Sequence, residues 1–152
     1  MSGAGPSEAV YETTTPAETE ALGASLADRL TGGDVVLLTG EMGSGKTTFA
    51  RGALRALGVK GRVTSPTFTI GRRYDDARIP ASHLDLHRLS VLADEDPALL
   101  DDYVGPGRVA FVEWPDVAAG AFSGQVAARV TLEHAGDDRR RITVSESPVA
   151  VQ

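Results

Sequence analysis

An α/β fold with a sheet covered on both faces is predicted by three stretches of this 152-residue sequence. The first is Val35-Val36-Leu37-Leu38, apolar without alternation, as a strand buried on both sides requires. It leads into Gly40-Glu41-Met42-Gly43-Ser44-Gly45-Lys46-Thr47, which fits G-x-x-x-x-G-K-[ST] at every fixed position. A helix follows, because Phe49, Ala50, Ala53, Leu54 and Leu57 fall at helical spacing with Arg51 and Arg55 opposite. The second stretch is Val109-Ala110-Phe111-Val112-Glu113-Trp114-Pro115, another buried-looking strand that ends in a carboxylate. Open α/β sheets bind their ligands beyond the carboxyl ends of such strands. The third is a pair of alternating runs, Val126 to Leu132 and Arg141 to Val144, around Ala135-Gly136-Asp137-Asp138, the pattern of a β-hairpin.

Taken in order, residues Met1 to Glu8 are small and polar and read as a disordered tail, with one domain from residue 9 onward. Val10-Tyr11-Glu12-Thr13 suits a short edge strand. Thr15, Pro16 and Glu18 form a helix start, as N-cap, first-turn proline and capping-box partner. Leu22, Leu26 and Leu30 then place one helix face in the core, and Gly32-Gly33 is expected to end it; a purely structural duty is expected of this helix. Gly58 closes the helix that follows the glycine loop. Val63 to Ile70 begins as a loop, with Pro66 biasing Ser65 away from helix, and becomes strand-like. After a turn at Asp75-Asp76, Ser82-His83-Leu84-Asp85-Leu86-His87 alternates; His83, Asp85 and His87 on one face are candidate metal ligands, while the period by itself favours a solvated face for them. Leu89 to Tyr103 is acidic and helical in character, with Leu92, Leu99, Leu100 and Tyr103 as its buried positions. Gly105-Pro106-Gly107 breaks the chain before the Val109 strand.

The glycine loop carries chemistry. Gly40, Gly43 and Gly45 admit backbone conformations closed to other residues, so the loop can wrap a polyphosphate with its N–H groups inward. Lys46 then reaches the β- and γ-phosphates, and Thr47 offers a hydroxyl to Mg²⁺. A magnesium nucleoside triphosphate is the expected ligand. Such sites need a second acid on a neighbouring strand, and Asp85 and Glu113 compete for that role. Ser65 or Thr67 is a candidate γ-phosphate sensor. Composition alone places Trp114 in the core.

Hydrophobic residues make up 41% and charged residues 24% of the chain, an ordinary globular balance, and there is no cysteine, which excludes disulfides and thiolate catalysis. The net charge of −6 argues against unaided binding to a nucleic-acid backbone. Lys60 with Arg62, Arg72 with Arg73, and Arg139-Arg140-Arg141 are short basic groupings that read as solvated edges. Work on RNA would therefore run through another protein. No apolar stretch approaches a membrane span and no leader pattern stands at the N-terminus, so a cytoplasmic protein is expected.

In sequence order, Gly40 to Thr47, Ser65-Pro66-Thr67-Phe68-Thr69, His83-Leu84-Asp85-Leu86-His87-Arg88-Leu89 and Val112-Glu113-Trp114-Pro115 resemble the TsaE (YjeE) family. These are bacterial ATPases needed to make threonylcarbamoyladenosine at adenosine 37 of transfer RNA. The resemblance spans about residues 10 to 145, and His87 departs from it where the family usually has tyrosine. It implies a three-layer α/β P-loop fold with a mixed central sheet, which suits the C-terminal hairpin. It further implies that Glu41, Met42, Gly43, Ser44, Gly45, Lys46, Thr47 and Thr48 surround ATP, with Trp114 near the nucleotide. Thr47 and Glu113 would hold magnesium, Asp85 would join the acidic pair around ion and attacking water, and Thr67 would sit in a switch-like loop. The implied partners are TsaB and TsaD, with transfer RNA met only through their complex and ATP hydrolysis resetting it between cycles. The sequence displays no arginine finger beyond the candidates Arg72, Arg73 and Arg88, so slow turnover alone is expected. A kinase passing the γ-phosphate to an acceptor is the alternative, and a nucleotide-gated module that never hydrolyses is a third reading.

Overall fold

Val35 to Leu38 offers no polar side chain to water on either face, and the fold answers this by placing the strand at the centre of the sheet. In a computed structural model that describes residues 7–63, 71–86, 103–113 and 125–146, the elements run β1 (Ser7–Thr13), α1 (Pro16–Ala27), β2 (Val35–Gly40), α2 (Lys46–Ala56), β3 (Gly71–Tyr74), β4 (Ala81–Asp85), β5 (Val109–Glu113), β6 (Val126–His134) and β7 (Arg140–Glu146). They form one seven-stranded sheet in the order β1-β7-β6-β2-β5-β4-β3. β2 runs parallel to both neighbours, β5 and β6, and β4 runs parallel to β5. β3, β7 and β1 are added antiparallel outside that core, so the sheet is mixed and the hairpin is its β6–β7 arm. Among the described residues no helix is long and apolar enough to cross a membrane.

Alternation along each strand sorts the core into two faces. Val36, Leu38, Phe111 and Val130 pack with Leu26, Phe49, Ala53 and Leu54 of the two helices. Val35, Leu37, Leu84, Ala110 and Val112 form the second cluster, against which Tyr103 and Val104 pack. The helix expected over residues 89 to 103 lies outside the described residues apart from Tyr103.

α1 begins as predicted. Thr15 is extended (φ −135°, ψ 155°) and its hydroxyl accepts from the Glu18 amide at 3.1 Å. Glu18 reaches one residue further back than a capping box requires, accepting from the Thr14 amide at 2.6 Å. That bond, first, and the Thr14 hydroxyl, second, hold the Glu18 carboxyl below its ordinary pKa. The helix ends at Ala27 rather than at Gly32-Gly33. Tighter i to i+3 bonds, Arg29 to Leu26 and Leu30 to Ala27, close it, and Leu30 is buried in the turn that follows.

α1 and α2 meet backbone to backbone. A Cβ at Gly23 would collide with the carbonyl oxygen of Phe49, and one at Gly52 with the carbonyl of Glu20. The same Glu20 carboxylate sits between Arg51 and Arg55, at 3.5 and 3.6 Å. These are the two arginines predicted on the outer face.

Three expectations are corrected. β1 starts at Ser7, inside the stretch read as tail. β4 spans Ala81–Asp85 and has no solvated face: Ala81 packs into the cluster shared with the helices, Leu84 into the cluster on the opposite face, and both His83 and Leu84 are fully buried. Period-2 alternation signals a half-exposed strand only when one face meets water, and what packs over each face decides that. Leu86, past the strand end, is also buried, whereas His87 lies outside the described residues. The third correction concerns Arg140 and belongs to the site.

Candidate functional site

β2 stops at Gly40 and α2 starts at Lys46, and the glycine loop makes the reversal in five residues. Gly43 (φ +79°) and Gly45 (φ +108°) hold left-handed backbone, which side chains disfavour. Gly45 is also the N-cap of α2, and having no side chain it leaves the first-turn amides of the helix uncapped. Those N–H groups and the positive helix end form a nest suited to an anion.

Lys46 folds back along the loop. Its ammonium donates to the carbonyls of Gly40 and Glu41, the latter at 3.1 Å, and only 5% of the residue is exposed. Burial lowers its pKa, opposed by the nearby carboxylates of Glu113 and Asp85. The acids arrive there through strand register. β4 and β5 are parallel and pair Asp85 with Glu113, while β2 and β5 pair Leu38 with Glu113. Both carboxylates therefore stand at the strand ends, where β2 gives way to the loop.

Glu113 is nearly buried, and one of its oxygens, Oε2, takes two bonds. The Thr47 hydroxyl donates to it at 3.1 Å, and His83 Nε2 lies 2.6 Å from it. His83 Nδ1 is buried without a partner among the described residues, so Nε2 is the ring nitrogen that meets a polar group. The sequence offered His83 as one of three ionisable groups on a strand face, a candidate metal ligand or a solvated side chain. The alternation placed it beside Asp85, but nothing local announced Glu113 as its partner.

A cavity of about 740 Å³ opens over these groups. Met42, Gly43, Gly45, Lys46, Thr47, Thr48, Asp85 and Glu113 line it, so the loop residues and the two acids singled out in the sequence are brought together there. Glu41 contributes its carbonyl to Lys46, and the Ser44 hydroxyl is buried without a partner. Thr67 and Trp114 lie outside the described residues, as does Arg88. The cavity also takes walls from two places that sequence reasoning left out: Thr14, Thr15, Pro16 and Thr19 at the start of α1, and Asp138 and Arg140 at the hairpin. Arg140 is thus not a solvated edge; its Nη2 stands 3.5 Å from the Gly43 carbonyl. Arg72 and Arg73 do not line the cavity, and Arg73 faces Asp75 at 3.8 Å on the outer strand.

A strand, a glycine loop and a helix at the carboxyl end of a parallel sheet core, with acids from two further strands beside the loop, define an α/β protein with a cavity at the strand ends, where open α/β sheets place their ligands. The chain belongs to the TsaE family: the family model described as "Threonylcarbamoyl adenosine biosynthesis protein TsaE" matches residues 13–142. The tRNA threonylcarbamoyladenosine biosynthesis protein TsaE of Bacillus subtilis is 38% identical over 134 residues, covering 88% of this chain and 82% of that protein. The protein of the same name from Mycobacterium tuberculosis is 33% identical over 142 residues, covering 88% and 79%. Among solved structures, the crystal structure of Bacillus subtilis YdiB superposes with a TM-score of 0.74 at 32% identity, covering 93% of this chain and 86% of that one. The family's role is in the biosynthesis of threonylcarbamoyladenosine in transfer RNA.

Proposed function

We propose that this chain is a magnesium-dependent ATPase of tRNA threonylcarbamoyladenosine biosynthesis, acting in the cytoplasm on a TsaB–TsaD complex to sustain its turnover at adenosine 37. The observation that carries the chemistry is the convergence of Lys46, Thr47 and Glu113 beside an uncapped helix N-terminus, inside one cavity.

The donors fit magnesium. Thr47 Oγ1 and the Glu113 carboxylate are hard oxygens 3.1 Å apart, and Asp85 lines the same cavity. With so few protein oxygens, the site suits an ion that keeps its own waters and takes the remaining ligands from phosphate. Thr47, Glu113 and Asp85 would hold the ion, and it would supply neutralisation of phosphate charge there.

The chain's own groups do the rest. The loop amides and the α2 N-terminus bind the phosphate chain, and Lys46, now held by two carbonyls, exchanges that contact for phosphate oxygens. His83 and the Thr47 hydroxyl fix one Glu113 oxygen, which leaves the other directed by the pair. Asp85 or Glu113 orients the attacking water in line with the γ-phosphorus. The resemblance implies that Thr67 belongs to a switch-like loop and Trp114 to the surroundings of the nucleotide.

The test is radiolabelled ATP with the isolated protein. Label should pass slowly to inorganic phosphate, and Lys46→Ala should abolish both this and most ATP affinity, since a charge-assisted contact contributes roughly 1.5–3 kcal/mol. Label on an acceptor would make the chain a kinase. Turnover on the order of 10 s⁻¹ without partners would contradict partner dependence.

A further inference from the structure

Arg140 occupies a position that hairpin geometry makes special. β6 runs parallel to β2 with Leu132 opposite Gly40, so the β6 end, the turn and the start of β7 all rise beside the glycine loop. Arg140 is the first residue of β7, and its strand neighbours are Thr13 on β1 and His134 on β6, neither of them acidic. Arg141, next along, stands between Glu12 and Glu133. Among the described residues no carboxylate lies within ion-pair distance of Arg140. Its guanidinium instead rests on two carbonyls, Arg139 at 3.2 Å and Gly43 at 3.5 Å. The second is at the outer limit of a hydrogen bond and costs little to exchange.

Lys46 and Arg140 therefore approach the loop from different elements. Lys46 is buried along the loop, whereas Arg140 is only half-buried, at the cavity wall, with a planar fork of donors suited to paired phosphate oxygens. We propose that Arg140 is a second polyphosphate-binding cation, delivered by the hairpin across Gly43 to the oxygens of a bound nucleoside polyphosphate. This deepens, and rests on, the nucleotide reading given above. It also supplies from within the chain a cation at the cavity that neither Arg72 nor Arg73 provides.

The test is equilibrium binding of a fluorescent ATP analogue, with ATP and inorganic tripolyphosphate as competitors, to wild type, Arg140→Ala, Arg140→Lys and Lys46→Ala. Arg140→Ala should weaken both competitors about tenfold, the loss of one charge-assisted contact, and Arg140→Lys should recover part of it. If Arg140→Ala binds both competitors like wild type while Lys46→Ala loses them, the proposal falls and the nucleotide reading stands. If Arg140→Ala loses ATP but keeps tripolyphosphate, the guanidinium serves the nucleoside and the proposal is wrong. Undiminished ATP binding by Lys46→Ala would overturn the nucleotide reading itself, and the proposal with it.

Discussion

Replacing His83 by alanine probes the site and the sheet together. The side chain is fully buried and lies 2.6 Å from Glu113 Oε2. Its removal deletes a bond to a buried carboxylate, worth about 1.5–3 kcal/mol, and leaves Thr47 as the remaining side-chain donor to that oxygen. It also opens a void in a strand with both faces covered, and large-to-small core changes cost about 2–5 kcal/mol. Against this stands relief of the unpartnered Nδ1, about 1–3 kcal/mol. The balance is a destabilisation of about 3 kcal/mol, or roughly 6–12 °C in thermal midpoint for a chain of this size. Glutamine places an amide nitrogen near the position of Nε2, so His83→Gln should recover a good part of the loss. Carboxylate partners of this kind typically tune metal affinity 10–100-fold. The magnesium dependence of ATP hydrolysis should accordingly move to higher concentration in His83→Ala and return in His83→Gln. A midpoint within about 2 °C of wild type and an unchanged magnesium dependence would refute the assignment of His83 as the group that positions Glu113.

Gly52→Ala gains roughly 1 kcal/mol of helix propensity but drives a Cβ into the Glu20 backbone, which cannot rotate away as a side chain could. The helices must separate, and the variant should be less stable by about 1–3 kcal/mol in urea unfolding; a stabilised variant would contradict the close approach. Glu18 has a depressed carboxyl pKa, so its contribution is fully present above the ordinary value of 4.5 and lost as pH falls through the lower folded value. Glu18→Gln should flatten the acid side of the stability profile below that pH and leave the slope above it unchanged, as thermal midpoints across pH would record.

What the sequence disclosed, it disclosed locally. The glycine loop, the Thr15 cap, the buried runs of β2 and β5 and the hairpin each depend on residues a few positions apart, whose backbone preferences and period are visible in one dimension. Asp85 and Glu113 were legible as competing acids, and the parallel register places them as neighbours at one strand end. The misses are relations between distant segments. That both faces of β4 are covered, and so His83 is buried, follows from how distant segments pack over the sheet. That β6 lies parallel against β2, and so lifts Arg140 to the loop, follows from a pairing across some ninety residues. The meeting of Gly23 and Gly52 with the opposite helix leaves no trace in the period of either helix, since a glycine at a helix crossing and one on a solvated face look alike.

A loop that drives a nucleotide cycle on behalf of a tRNA-modifying complex must show its effect over many cycles. The assay is multiple-turnover formation of threonylcarbamoyladenosine by TsaB and TsaD with this protein added as wild type or as Lys46→Ala. Sustained turnover with wild type and a halt after the first cycles with Lys46→Ala is the predicted result. Equal turnover with both proteins, or none with a wild type that still binds ATP, would contradict it.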